Sequence, residues 1–514
     1  MILIASAAYC REDIAVEIGM IPPAFLPIGN KRLFELQYLS LQHFGEEIWL
    51  SLPEGFEVSL FDARLLDSLN IKTMFVPENL TLSQSIAFCI EKTNPKSHVR
   101  ILFGDTNCQS LPSEKIDTVA VATRCDDSIW GYLEKNILQQ DKVIVGYFCF
   151  LQIDRFLLYL KEESENFVKA VNRYALDVKA EIIDLENWQD FGHRNQYFLS
   201  KTNTLLTRHF NNISISGDLL VKHSKQVDKI SSEYNWYKSL PLSLSLHTPR
   251  LASDLKIENG GAQYELEIIP SFSFSELLIY GNNSDLFWEN LFKKLKHLLK
   301  NFNNEVNALK DKKFEGADFE KLESSLYLEK TLKRISQQES LSGWDLSEYR
   351  RIATDAAKHI SKTSKHHLTI AHGDMCFSNI LYSSHNERIY LIDPKGLSAF
   401  SSNPLVGDIR YEIAKLFHSL VGGYDHIIGN KFILEGEAIE FYPDDYSKIE
   451  HLSKKFIHII LDEFSQVSLG EILAINVLLF ISMVPLHSDD KDRQEAFLLN
   501  SKRLYQMLLK WRKN

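Results

Sequence analysis

Four polar side chains fall close together in the C-terminal half of the chain: His372, Asp374 and Asn379 in HGDMCFSN (372–379), and Asp393 in YLIDPKG (390–396). Phosphoryl transfer from a nucleotide asks for a carboxylate that accepts the proton of the attacking hydroxyl, an amide that holds metal and loop together, and a second carboxylate that carries magnesium. Asp374, Asn379 and Asp393 supply that set. A turn with a glycine at positive φ and a capping asparagine would account for HGD and Asn379 one at a time. Such turns leave unexplained why two of them follow apolar strands at short spacing, and why an Asn stands five residues after an Asp.

The elements that must position these groups are legible around them. LTIA before the first stretch and RIYLI before the second read as short buried strands, which places the polar groups in strand-end loops that can converge. Upstream, ISIS and LLVKH alternate as two strands of a hairpin turning at Gly217 and Asp218, with Lys222 on the second. QVDKISSEYNWYKSL follows as an amphipathic helix with Val227, Ile230, Tyr234 and Tyr237 at helical spacing, and it carries Glu233, with Asp228 as the other acid on the segment. A strand lysine by itself is ordinarily solvated; beside the loops at 372 and 393, Lys222 reads as a point charge for nucleotide phosphates, aimed by Glu233. In GDIRYEIAKLFHSL, Asp408 sits at the mouth of a helix whose inner stripe is Ile409, Ile413, Leu416 and Leu420.

HGDMCFSNILY…IYLIDPKG resembles the catalytic and metal-binding loops of the aminoglycoside phosphotransferase and choline kinase family, small-molecule kinases with a protein-kinase-like fold. The resemblance implies a two-lobed α+β domain over 205–514, with a small lobe at 205–280 and a large lobe at 281–514. It implies ATP and Mg2+ as cofactors, Asp374 as catalytic base, Asn379 and Asp393 as magnesium holders, and His372 as support for the loop that carries Asp374. Lys222 paired with Glu233 would face the triphosphate. YELEIIPSFSFSEL (264–277) would be the hinge between lobes, its backbone at Glu265 and Glu267 bonding the base, and Asp408 would brace the catalytic loop from behind. The charged stretch at 302–338 reads as a solvated helical hairpin, in preference to a substrate lobe or a dimer contact. ILAINVLLFISMVPLHSD and AFLLNSKRLYQMLLKW read as buried helices of the large lobe, not as stable membrane insertions.

Residues 1–204 need a separate account. MILIASAAYC, HVRILFGD, IDTVAVAT and KVIVGYFCF alternate with helical stretches such as LTLSQSIAFCIEK, the pattern of an α/β domain with a largely parallel sheet. PPAFLPIGNKRLFELQ (22–37), ILFGD (101–105) and ENWQDFGHRNQYFLS (186–200) resemble, in that order, signatures of the sugar-phosphate nucleotidyltransferases. That resemblance implies a Rossmann-like, GT-A type domain in which Asp105 and Asp190 hold magnesium and the nucleotide. Two departures weigh against turnover. ASAAYCRE has no glycine to let backbone approach phosphate, and Ala24 follows Pro23 where the family has a lysine, with Lys31 too far along to replace it. The expectation is a retained fold with weak, altered or absent transfer. In the plainer reading Asp105 ends a strand, Asp190 caps a turn at Gly192, and Trp188 and Tyr197 are core or pocket walls.

Composition narrows the partners. Asp and Glu number 68 against 57 Lys and Arg, so a nucleic-acid partner lacks its electrostatic footprint. The six cysteines are scattered without a CxxC pair, which argues against zinc or a disulfide framework and suits the cytoplasm. The sequence thus reads as an ATP-dependent kinase of a small-molecule alcohol in surface-polysaccharide (capsular) or headgroup precursor synthesis. A bifunctional kinase/nucleotidyltransferase and a non-catalytic binding protein stand as alternatives, and a homo-oligomer stays open.

Overall fold

The computed structural model describes residues 1–114, 116–123, 130–133, 142–206, 213–217, 219–258, 260–308, 316–396 and 405–512; Cys125 and Asp218 of the expected hairpin turn lie outside them. The chain divides into two units, Met1–Arg208 with Tyr280–Asn282, and His209–Ile279 with Asn283–Asn514. The division falls four residues beyond the expected 204/205, and Tyr280–Asn282, at the expected join between lobes, groups with the first unit. The helix Arg194–Leu206 runs past residue 204. Tyr280–Asn282 is bonded into the first unit, where the Asn282 N–H donates to the Ile18 carbonyl at 2.8 Å and the Tyr280 carbonyl accepts from the buried Arg32 guanidinium at 3.1 Å.

In the first unit, near-continuous apolar runs form inner strands buried on both faces, as a helix-covered sheet requires, while the two edge strands are largely exposed. The strands are β1 (Ile2–Ala5), β2 (Ile48–Pro53), β3 (Ile71–Val76), β4 (Val99–Phe103), β5 (Thr118–Thr123), β6 (Lys142–Phe150) and β7 (Glu181–Asp184), in the order β7-β5-β6-β4-β1-β2-β3. All neighbours run parallel except β6, which is antiparallel to both β4 and β5. Helix α1 (Leu82–Thr93) opens on a capping box of Thr81 and Gln84, which satisfies two free N–H groups at its start. With α2 (Ile153–Glu162) and α3 (Phe167–Val178) it covers one sheet face; Ile86, Ile90, Phe148, Phe156 and Val171 lie in that core. The Phe150 and Phe156 rings stack there at 3.7 Å. A short antiparallel ribbon, Thr106–Cys108 with Trp188–Asp190, extends from the end of β4.

The second unit begins with an antiparallel sheet of β8 (Ile213–Ser216), β9 (Leu219–Ser224), β10 (Lys256–Glu258) and β11 (Gly261–Glu267) in the order β8-β9-β11-β10, with helix α4 (Val227–Ser239) between β9 and β10 in the chain. The remainder is helical: α5 (Asp285–Ala308), α6 (Leu328–Ser342), α7 (Ser347–Ala357), α8 (Ile409–Leu420), α9 (Leu469–Met483) and α10 (Lys491–Trp511). Short strands are set among these helices, and two pairs of them frame the site. β12 (Leu368–Ile370) pairs with β15 (Val406–Asp408), and β13 (Ile380–Ser383) pairs with β14 (Arg388–Leu391). The loops leaving β12 and β14 carry residues 372–379 and 392–396.

Leu469–His487 is long and apolar enough to cross a membrane, yet 83% of that stretch is buried inside the unit, in keeping with the buried helix expected there. Two other helices differ in detail from their sequence reading. Of the stretch 302–338, whose residues 309–315 lie outside the described residues, helix α6 is not a solvated element: Thr331, Ile335 and Gln338 are buried, and the Arg334 guanidinium donates to the Ser482 carbonyl of α9 at 2.8 Å. Its charges mislead because Lys330 and Arg334 are turned inward. Helix α8 shows no single inner stripe; all twelve residues are buried, Arg410, Glu412 and Lys415 included. Each of those charges has a specific partner, which is what makes its burial tolerable.

Candidate active site

The HGD stretch is shaped by Gly373, whose φ of +78° is a left-handed conformation that lets the chain reverse directly after β12. Two backbone bonds lock the loops together: Lys395 N–H donates to the His372 carbonyl at 2.9 Å, and Ile392 N–H to the Asn379 carbonyl at 3.0 Å. His372 is 1% exposed, and burial pushes its imidazole down to about 4, so it is neutral near pH 7. Its hydrogen bonds define the tautomer. Nε2–H donates to the Ile392 carbonyl at 2.9 Å and Nδ1 accepts the Asp374 N–H at 3.3 Å, so the ring pins one loop to the other. Trp236 of α4 packs edge-on against it and donates its Nε1–H to the Ala371 carbonyl at 2.7 Å.

Asp374 lies 2.8 Å from Lys415 Nζ and 3.8 Å from Lys395 Nζ. Burial favours its protonated form, but the two ammonium groups outweigh burial and hold the carboxyl well below the usual carboxylate range. Asn379 Nδ2 donates to the Asp374 carbonyl at 2.9 Å, fixing both residues in one loop. Its Oδ1 keeps only a 3.5 Å contact from the Ser378 hydroxyl.

Across the loops, Lys222 on β9 forms ion pairs with both Glu233 of α4 and Asp393. Burial alone would lower the lysine; the two carboxylates reverse this and raise it, so it stays charged. Glu233 is held further by the Tyr264 hydroxyl, which donates to its Oε1 at 2.6 Å. The carboxylate of Asp393 is half-exposed, at 48%. Gly396 closes this arrangement: at φ +59°, a Cβ there would fall 2.0 Å from the Ser232 carbonyl oxygen, so only glycine lets the DPKG turn seat against α4. His372, Asp374 and Asn379 therefore share one loop, and Asp393, Lys222 and Glu233 form the adjoining charge cluster.

Two sequence assignments are corrected. The backbone of Glu265 and Glu267 is already consumed: Glu265 N–H donates to Ser253 Oγ at 3.0 Å, its carbonyl accepts the Ala252 N–H at 2.9 Å, and Glu267 N–H donates to the Arg250 carbonyl at 3.0 Å. Both residues belong to β11 and not to a hinge with free backbone groups. Asp408 caps α8 by accepting the Arg410 N–H at 2.9 Å and binds Tyr327 Oη at 2.8 Å, with its carboxylate also paired to the Arg410 guanidinium at 2.7 Å. The group behind the catalytic loop is instead Glu412, one turn on, whose oxygens accept the N–H groups of His372 (3.1 Å) and Gly373 (2.9 Å). Burial pushes Glu412 up to about 7 despite those bonds. Glu412 and Lys415 were missed because IRYEIAKLFHSL was read only for its apolar stripe; its isolated acid and base were the available signal.

In the first unit, Asp105 and Asp190 are brought together where the ribbon leaves β4. Burial, then the neighbouring Asp190 charge, raises Asp105 to about 6. Asp105 lines a cavity of about 290 Å³ with residues 5–11 of the loop after β1, but Asp190 does not. Asp190, beside it, accepts the Gly192 N–H at 3.0 Å and faces His193 Nδ1 at 2.8 Å. Asp105 thus lines the cavity while Asp190 caps the adjoining turn. The missing glycine has a visible counterpart: Ser6 packs on Gly104, where a Cβ would meet it at 2.5 Å, and its Oγ accepts the Ala24 N–H at 3.0 Å. Tyr197 is a buried wall, whereas Trp188 is partly exposed beside a separate polar cavity of about 690 Å³.

A sheet bearing the lysine, the helix that holds it and a helical lobe carrying the two polar loops make the second unit a two-lobed, kinase-like domain. No family model and no curated protein matches the chain. Solved structures similar to it include an aminoglycoside phosphotransferase from Streptomyces rimosus, in complex with ADP and streptomycin, at 14% identity over 60% of this chain and 98% of that one, TM-score 0.29. An ethanolamine kinase from Plasmodium vivax is 14% identical over 57% of this chain and 81% of its own, TM-score 0.34. The inositol-1-phosphate CTP transferase from T. maritima is 14% identical over 39% of this chain and 94% of its own, TM-score 0.29. At such identities the chemistry rests on the residues of this chain.

Proposed function

We propose that the protein is an ATP-dependent kinase that transfers a phosphoryl group to a hydroxyl of a small sugar, amino alcohol or polyol, supplying precursors for surface polysaccharide or headgroup synthesis. The observation that carries this reading is a partly buried carboxylate, Asp374, kept ionised by Lys415 and Lys395 and tied by its own backbone to Asn379. A general base needs that state and that rigidity. Neutral His372 and Glu412 hold the loop, so Asp374 can take a hydroxyl proton without the backbone moving.

The donors at hand suit magnesium and ATP. The Oδ1 of Asn379 and the half-exposed carboxylate of Asp393 are hard oxygen ligands, and one or two protein oxygens are what magnesium takes when phosphates complete its shell. When bound, magnesium supplies charge neutralisation on the transferring phosphate. Lys222, positioned by Glu233, is placed to shift its contact from Asp393 to phosphate oxygens. Replacing Asp374 with Asn should leave ATP binding nearly intact and cut ADP release, measured with an accepted alcohol, by about a hundredfold or more. Turnover equal to the parent would overturn the assignment.

A second reading, that the first unit also transfers a nucleotidyl group, is favoured by Asp105 at its 290 Å³ cavity. Ser6 and Ala24 count against it, since neither offers a phosphate the approach or charge it needs. Pyrophosphate release from the full chain with any NTP and a panel of sugar or amino-alcohol phosphates, abolished by Asp105→Asn, would establish this activity. Little or no release is the expected result.

A further inference from the structure

The charges around Asp374 do not balance. Lys330 and Arg334 lie one turn apart on α6, where Arg334 feels the Asp374 charge and Lys330 lies near Lys395; with Lys395 and Lys415 they make four cations in a cluster whose carboxylates are Asp374 and Glu412. Lys415 and Lys395 have Asp374 as partner. Lys330 reaches the Tyr411 hydroxyl at 3.1 Å and lies 5.2 Å from the centre of that ring, while Arg334 is anchored on the Ser482 carbonyl at 2.8 Å. Among the described residues neither has a carboxylate within 4.0 Å. Glu412, whose oxygens accept two backbone N–H groups, does not close the gap: even with it ionised, two carboxylates stand against four cations.

Two consequences of the surplus are visible. Burial, with Lys395 and Arg334 nearby, lowers Lys330 even though Tyr411 pulls the other way. Burial would push the Tyr411 phenol up, yet Lys330, Lys395 and Lys415 bring it down to about 7. Partly buried cations that draw on a phenol for compensation are arranged to receive an anion. The nucleotide side is already provided for, since Lys222 is compensated by Glu233 and Asp393.

We infer that Lys330 and Arg334 bind an anionic group, carboxylate or phosphate, carried by the hydroxyl compound that Asp374 deprotonates. The acceptor is thus an acidic alcohol, such as a sugar acid or a sugar or polyol phosphate, and not a cationic amino alcohol. This deepens the proposed function and rests on Asp374 marking the acceptor end of the site. A positive field there also lowers the cost of bringing an anion beside the ionised base.

The test uses the full chain with Mg–ADP and two matched series: glucose, glucuronate, glucose 6-phosphate and glucosamine; and glycerol, glycerate, glycerol 3-phosphate and ethanolamine. Calorimetry should show an anionic member of at least one series binding about tenfold or more tighter than its neutral parent, with the amine weakest. Comparing the carboxylate and phosphate arms identifies the anion. Lys330→Gln and Arg334→Gln, made singly, should each reduce that preference. Equal or tighter binding of neutral or cationic members, no anion-selective binding in either series, or a preference untouched by both substitutions would overturn the inference. If the substitutions slow ATP turnover equally with every acceptor while the preference survives, the two cations serve the transferred phosphate and the inference also fails. Anion-selective binding without ADP release in the presence of ATP would leave the anion site standing and overturn the kinase reading instead.

Discussion

At the scale of single residues, the site works by holding two carboxylates in different states of engagement. Asp374 is partly buried and paired with two lysines, so its role is to stay ionised and in place; Asp393 is half-exposed and shares Lys222 with Glu233, so its role is to exchange partners. That difference separates their variants. Asp393→Asn should weaken magnesium-dependent ATP binding by about tenfold or more, because a charged oxygen ligand is lost where few protein ligands are used. Calorimetry showing unchanged Mg–ATP affinity would count against a metal-holding role. Asp374→Asn, by contrast, should spare that affinity and act on turnover.

The elements that present these residues depend on two close fits. Gly396→Ala would put a Cβ on the Ser232 carbonyl at a left-handed φ, forcing α4 and Glu233 away from Lys222. Strain on the order of 1–3 kcal/mol follows, and the ATP KM should rise roughly tenfold with the fold retained. An unchanged KM would show that the turn does not set the lysine. Helix α8 is fixed from its other end by a buried network in which the Arg410 guanidinium contacts Asp408 and, at 2.9 Å, Glu471. Burial would raise Glu471, but hydrogen bonds from Ser361 and Arg410 hold it down to about 2 in the folded state, against an ordinary value of 4.5. The folded carboxyl is the stronger acid, so its stabilisation is complete above about 4.5 and is lost as pH falls towards 2. Glu471→Gln should therefore lower stability at pH 7 and flatten its decline between these values in denaturant titrations. A parent-like acid limb would contradict the linkage. Removing Arg410 should cost more, about 3–5 kcal/mol, since it strands two buried carboxylates.

For the whole molecule, the division of the chain affects how each unit can be studied. Residues 1–208 produced alone lack Tyr280–Asn282, and with it one acceptor for the buried Arg32 guanidinium, which otherwise bonds Asp62 and the Phe25 carbonyl. An unsatisfied buried donor costs about 1–3 kcal/mol. The fragment should accordingly unfold at a lower denaturant concentration than a fragment to which the Tyr280–Asn282 segment is restored through a linker. Identical midpoints would show that this segment adds nothing to the first unit.

The sequence by itself determined what is local. His372, Asp374 and Asn379 fall within eight residues, and Asp393 follows the next apolar strand, so strand periodicity and turn chemistry place them without any long-range contact. The same holds for the β9 lysine and its following helix, and for the missing glycine and lysine near residues 5–11 and 24. Only the tertiary structure decided which distant groups meet them. Lys415 reaches Asp374 from a helix about forty residues after the catalytic loop, and Lys330, on a helix about forty before it, meets Tyr411 one turn from Lys415. In the sequence each of these charges looks like part of a solvated face, because hydrophobic patterning records burial of apolar side chains and is silent on a charge buried against its partner. Glu412 in place of Asp408 behind the loop was hidden for the same reason: one helical turn changes which group a side chain faces, and packing alone sets that choice.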